Sequence, residues 1–178
     1  REMEEVLKEV EKRVRDIEDE SRKTLERVDK LVKKNKRDSE RTLKEVEDLV
    51  REVKKEIRRI KDKKTLKERI DKILEDLKRI ADRNRRLMKK VLDELRKIIE
   101  EDRERIKEIL KRLEDIVREV KDAEEVKREI KKLADRVREV SERVVREIEK
   151  LVRDIKRRNE EVIDEIRKLV EDVKREAK

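Results

Sequence analysis

Apolar residues recur along the chain at steps of three and four, with charged residues filling the gaps. In the first third the stripe runs Met3, Leu7, Val10, Val14, Ile17, Ser21, Thr24, Val28, Leu31 and Asn35. It continues through Ser39, Leu43, Val46, Val50, Val53, Ile57 and Ile60. Strict alternation of threes and fours is the 3.5-residue period of a left-handed coiled coil. The extra four-step from Asn35 to Ser39 is a stutter, which locally unwinds the supercoil. The second third carries the same stripe from Leu66 through Ile73, Leu77, Ile80, Asn84, Leu87, Val91, Leu95, Ile98, Asp102 and Ile106 to Val120. The last third carries it from Val126 through Ile130, Val137, Val140, Val144, Ile148, Ile155, Asn159 and Val162 to Val173.

The stripe lapses twice, at Lys61-Asp62-Lys63-Lys64-Thr65 and at Lys121-Asp122-Ala123-Glu124-Glu125. Asp is a strong N-cap, because its carboxylate accepts the unpaired N–H groups of a first turn. Asp62 and Asp122 are therefore expected to cap the second and third helices. Glu124 and Glu125 suit the positive end of a helix dipole, and Lys before each Asp suits the negative end of the preceding helix. Short connections join antiparallel neighbours. The pattern predicts an all-α chain: a single-chain antiparallel three-helix bundle, up-down-up, of very long and weakly supercoiled helices. Helix 1 is expected at about 2–60, helix 2 at about 64–120 and helix 3 at about 123–177, with loops near 61–63 and 121–123, all in one bundle over 1–178. At about 1.5 Å per residue each helix would run on the order of 85 Å.

A hairpin can be tested by numbering. If helix 1 turns back at Asp62, facing core positions add to about 123, and around Asp122 to about 246. Helices 1 and 3 then run parallel at an offset near 124. This places Ser39 opposite Asn84, Asn35 beside Asn159 and Ser21 opposite Asp102, with Thr24, Thr42 and Ser141 at the edges. Two polar core layers are expected: Asn35, Ser39, Asn84 and Asn159 in one, and Ser21, Asp102 and Ser141 in the other. A buried amide without a partner costs about 1–3 kcal/mol, so such groups tend to come in satisfied sets. Long aliphatic helices slip by a heptad at little cost, and a single core Asn is a known lock on register.

Composition narrows the chemistry. Charged residues make up 62% of the chain and hydrophobic ones 33%, with no Gly, Pro, Cys, His, Phe, Tyr, Trp or Gln. At ordinary usage a chain this long would carry roughly a dozen Gly and nine Pro. Such depletion matches a choice of strong helix formers throughout. Without His or Cys, the Ser–His and Cys–His nucleophile pairs, zinc-thiolate sites and Glu-x-x-His di-iron sites are all excluded. No catalytic, cofactor-binding or metal site is expected, and Asp102 reads as a network acceptor rather than a general acid. No apolar run exceeds two residues, so no membrane span is expected. The start at Arg1 is expected to reflect a removed tag or leader.

The composition, the paired stripes and the Asn/Ser layers together resemble the parametrically designed helical bundles that carry buried hydrogen-bond networks. The resemblance extends over the whole chain. It implies a thermostable structural scaffold with no natural activity and no cofactor, soluble and cytoplasmic on recombinant expression. A natural structural coiled coil, a protein-binding rod or a designed subunit of a homo-oligomeric assembly are the other readings. No partner is required: a monomer is favoured over a homodimer, and a membrane-surface role is disfavoured. The net charge of +9 concentrates near Lys33–Arg37, Arg83–Lys90 and Lys156–Arg158. There, weak salt-sensitive nucleic-acid binding without sequence specificity is the most expected.

Overall fold

The computed structural model describes residues 3–120 and 123–176. It is a three-helix bundle: α1 spans Met3–Arg59, α2 spans Lys63–Glu119 and α3 spans Glu124–Glu176. No strand occurs among the described residues. The helices begin and end where charge favours it, with Glu4 and Glu5 in the first turn of α1 and Arg58 and Arg59 in its last. Between α1 and α2 only three residues intervene. The turn is closed by Ile60 N–H donating to the Glu56 carbonyl at 3.2 Å and Leu66 N–H donating to the Asp62 carbonyl at 3.0 Å. No described residue adopts a positive φ, which accounts for a junction without glycine.

Contacts divide the chain into two compact units. Unit 1 comprises Arg1–Lys30 and Asp93–Leu151, and unit 2 comprises Leu31–Leu92 and Val152–Lys178. Each unit takes a segment from every helix. The core of unit 1 is built from Val10, Val14 and Ile17 of α1, Leu113 and Ile116 of α2, and Ile130 and Val137 of α3. The core of unit 2 is built from Val46, Val50 and Val53, Ile73 and Leu77, and Val162, Ile166 and Val173. Each fully buried Leu or Ile contributes about 1.5–3 kcal/mol relative to leaving it in water, and no aromatic is present to add more.

Register follows from cross-helix ion pairs. In unit 2 Arg69 pairs with Glu56 and Arg83 with Glu45. In unit 1 Arg105 meets Glu20 at 3.0 Å and Arg27 meets Glu101 at 3.9 Å. In both units these antiparallel α1–α2 partners add to 125 or 128, slightly above the expected 123. Parallel α1–α3 partners differ by 118, not 124: Lys54 with Asp172 and Arg58 with Glu176 in unit 2, and Glu18 with Arg136 in unit 1. The arithmetic centred each turn on its aspartate. The observed α1–α2 sums run two to five higher, and a parallel α1–α3 pair accumulates this with the shift between α2 and α3.

The stripe also differs in detail. Leu87, placed on it by spacing, is 37% exposed, whereas Leu92 is 7% exposed. Eleven residues separate Asn84 from Leu95, three turns at 3.67 residues each. Over such a stretch the inward positions drift from the coiled-coil steps toward those of a straight helix. For the same reason Thr42 and Ser141, expected at the edges of the polar layers, are buried, and Leu43 and Val140 on the stripe are half-buried.

Candidate functional site

The chain has nine uncharged polar side chains: three Asn, three Ser and three Thr. Six are buried, namely Ser21, Asn35, Ser39, Thr42, Asn84 and Ser141. Asn159 and Thr24 are half-buried, and Thr65 alone is exposed. A residue class this rare and this confined to the interior serves the core rather than surface solubility, for which the charged residues suffice. That rarity is a sequence signal the stripe alone does not use.

In unit 2 the centre is one amide pair. Asn84 Nδ2 donates to Asn159 Oδ1 at 2.6 Å, tying α2 to α3. The two numbers add to 243. With the 118 offset between α1 and α3, the α1 residue at this level is Thr42 or its neighbour, not Asn35. Thr42 does not join the pair, because its hydroxyl donates to its own helix, to the Asp38 carbonyl at 2.9 Å. Asn35 and Ser39 are each 6% exposed and stand outside the amide bond, about two turns and one turn away respectively.

In unit 1 the centre is a carboxylate. Asp102 is 1% exposed, and its Oδ2 accepts from Ser141 Oγ at 3.3 Å. That distance is long for an O–H···O bond, which ordinarily spans about 2.5–3.0 Å. Asp102 Oδ1 is buried without a hydrogen-bond partner. Burial pushes the carboxyl above the usual carboxylate range, against the opposing Ser141 hydroxyl and Arg105 charge. Arg105 is itself engaged by Glu20. The expected partner, Ser21, is buried but stands outside the Ser141–Asp102 bond. The pair again adds to 243, so the level falls on Thr24, one turn from Ser21.

Asp62 stands at the N-terminus of α2. Its Oδ2 accepts from the Thr65 hydroxyl at 2.7 Å and from Thr65 N–H at 3.4 Å. The Thr65 hydroxyl, then the Thr65 and Lys64 N–H groups, hold this carboxyl below its ordinary value. Asp122, the other N-cap assigned from spacing, lies outside the described residues. A carboxyl with a lowered folded pKa contributes stability above its unfolded pKa and loses it as pH falls. Asp62→Ala is therefore expected to lower the melting midpoint at neutral pH, with Asp62→Asn lowering it less. The gap between wild type and Asp62→Ala should close in acid, as thermal melts across pH would show.

Among the described residues no group of three His, Cys, Asp or Glu is arranged to hold a metal ion. No helix among the described residues is long and apolar enough to cross a membrane. The best-formed depression, of about 450 Å³, is a groove of unit 1 floored by Leu110, Leu113, Val117, Ile130 and Ala134. It brings no nucleophile–base pair together.

Neither the protein-family models nor the curated proteins contain a match to the chain. Among solved structures it is similar to one described as a "Computationally designed three helix bundle", at 19% identity and a TM-score of 0.38, over 98% of this chain and 83% of that one. The three-helix architecture rests on this chain's own packing, not on that likeness.

Proposed function

We propose that the chain is a designed structural scaffold with no natural biochemical activity, and that its buried polar residues act as register locks. The observation that carries this reading is the placement of the uncharged polar side chains. Eight of the nine are buried or half-buried, and the ninth, Thr65, supports the α2 cap. In each unit an inward-facing polar pair joins α2 to α3 at the same numbering, Asn84–Asn159 in one and Asp102–Ser141 in the other. A heptad slip would leave these donors and acceptors facing aliphatic side chains, at a cost of about 1–3 kcal/mol each. Surface charge adds little to stability, since exposed ion pairs are worth about 0–1 kcal/mol apiece. Its evident service is to keep long amphipathic helices from associating through their flanks.

Light scattering combined with thermal melting tests the scaffold reading. The expected mass is near 22 kDa at every concentration. The expected melting midpoint lies above about 60 °C, past the upper mesophile range. A mass of twice that value would make the chain a subunit of an assembly, and a low midpoint would remove the case for a deliberately consistent design.

A further inference from the structure

Most of the net positive charge of the chain sits in one stretch of unit 2. Segments 33–43, 83–93 and 151–161, which the register sets side by side, hold fourteen Lys and Arg against six Asp and Glu, a surplus of eight. Removing these from 60 basic and 51 acidic residues leaves 46 against 45, so the remainder of the chain is close to neutral. The register gathers the three segments. The Asn84–Asn159 bond sets Arg85 and Arg86 across from Arg158 and Arg157. The Arg69–Glu56 and Arg83–Glu45 pairs set Lys89 and Lys90 level with Lys36 and Arg37.

Carboxylates answer only part of this charge. Arg83 pairs with Glu45, Arg85 with Asp82 at 3.1 Å and Arg157 with Asp154 at 3.6 Å. Glu45 and Asp82 lie just outside those segments; counting them too, the zone still holds six more cations than anions. One guanidinium nitrogen of Arg158 is buried with no hydrogen-bond partner. Cations held at one level by a rigid core repel one another, and a bound anion relieves that repulsion while releasing its own counterions.

We propose that this zone of unit 2 binds the phosphodiester backbone of nucleic acid, through phosphate alone and without reading sequence. The chain has no aromatic residue on which a base could stack, which removes the usual route to base contact. Arg86, Lys89 and Lys90 are exposed on consecutive turns of α2 and are the expected centre of the contact. If about six phosphates are engaged, the logarithm of affinity should fall with the logarithm of salt at a slope of about −5. That is about a thousandfold loss between roughly 50 and 200 mM salt.

The test is fluorescence anisotropy with two labelled DNA duplexes of unrelated sequence, and competition by inorganic polyphosphate. Wild-type protein should bind both duplexes within about twofold of each other, and polyphosphate should displace them. Arg86→Glu/Lys89→Glu/Lys90→Glu should weaken binding by more than about tenfold. The control Lys107→Glu/Lys111→Glu/Lys132→Glu changes net charge by the same amount on exposed positions of unit 1, and should stay within about threefold of wild type. Glutamine at positions 86, 89 and 90 should give a smaller loss in the same direction. The proposal fails if the two triple variants lose affinity equally, if the duplexes are discriminated, if polyphosphate does not compete, or if wild type does not bind at low salt.

Discussion

Asparagine in place of Asp102 is expected to raise stability at neutral pH by about 1–3 kcal/mol, the scale of an unsatisfied buried polar group. Asp102 is 1% exposed, has one weak donor in Ser141 and leaves Oδ1 without a partner. Burial raises its folded pKa above the ordinary carboxylate value. A group with a raised folded pKa holds its proton more tightly in the folded chain than in the unfolded one. Its contribution is therefore fully present below the unfolded value, near 3.9, and is lost as pH rises through the folded value. Wild type and Asp102→Asn should differ least in acid and most at neutrality. Ser141→Ala should act in the opposite direction at neutral pH, because it removes the one hydroxyl that the carboxylate has. Urea unfolding at about pH 3 and about pH 7 separates these effects, since other carboxylates titrate alike in both chains. A neutral-pH loss of stability in Asp102→Asn would mean that the carboxylate is well satisfied in the folded protein.

Asp102 also marks the boundary of what the residues alone reveal. The stripe identifies Ser21, Asn35, Ser39, Asn84, Asp102 and Asn159 as inward-facing, the hairpin numbering adds Ser141 at the edge of a layer, and all are buried or half-buried. Helical period is a local property, and about 46 turns of it define α1, α2 and α3. Which polar residue meets which is not local. It depends on where each connection is centred, and the shifts of α2 against α1 and of α3 against α2 together move α3 by almost two helical turns against α1. The expected contacts Ser39–Asn84, Asn35–Asn159 and Ser21–Asp102 thereby give way to Asn84–Asn159 and Asp102–Ser141. The misplacement of Leu87 has a related origin, because the choice between steps of three and four within an eleven-residue stretch is made by packing rather than by spacing. Asp62 was legible because capping needs only the next three residues, although the Thr65 hydroxyl adds a bond that the cap pattern does not require.

Register is also where the second large effect is expected. Asn84→Leu alone should cost about 1–3 kcal/mol, because it strands the Asn159 carbonyl in a half-buried position beside new aliphatic surface. Asn159→Leu should cost a comparable amount by stranding the Asn84 amide, which is only 5% exposed. The double substitution removes donor and acceptor together and fills the space with apolar atoms, which is often neutral or stabilising. The coupling between the two sites should therefore be on the order of 0.5–3 kcal/mol, far from additive. Adding Asn35→Leu should leave stability unchanged or higher still, since that amide stands outside the bond. What the triple variant should lose is uniqueness. Cross-links between Lys and Asp or Glu, mapped by mass spectrometry, should fall in wild type on α2–α3 pairs whose numbers add to near 243. In the triple variant a second set displaced by about seven residues should appear, the signature of a heptad slip. Additive single-site losses with an unchanged cross-link map would instead make Asn84 and Asn159 ordinary packing residues, with register held by the turns.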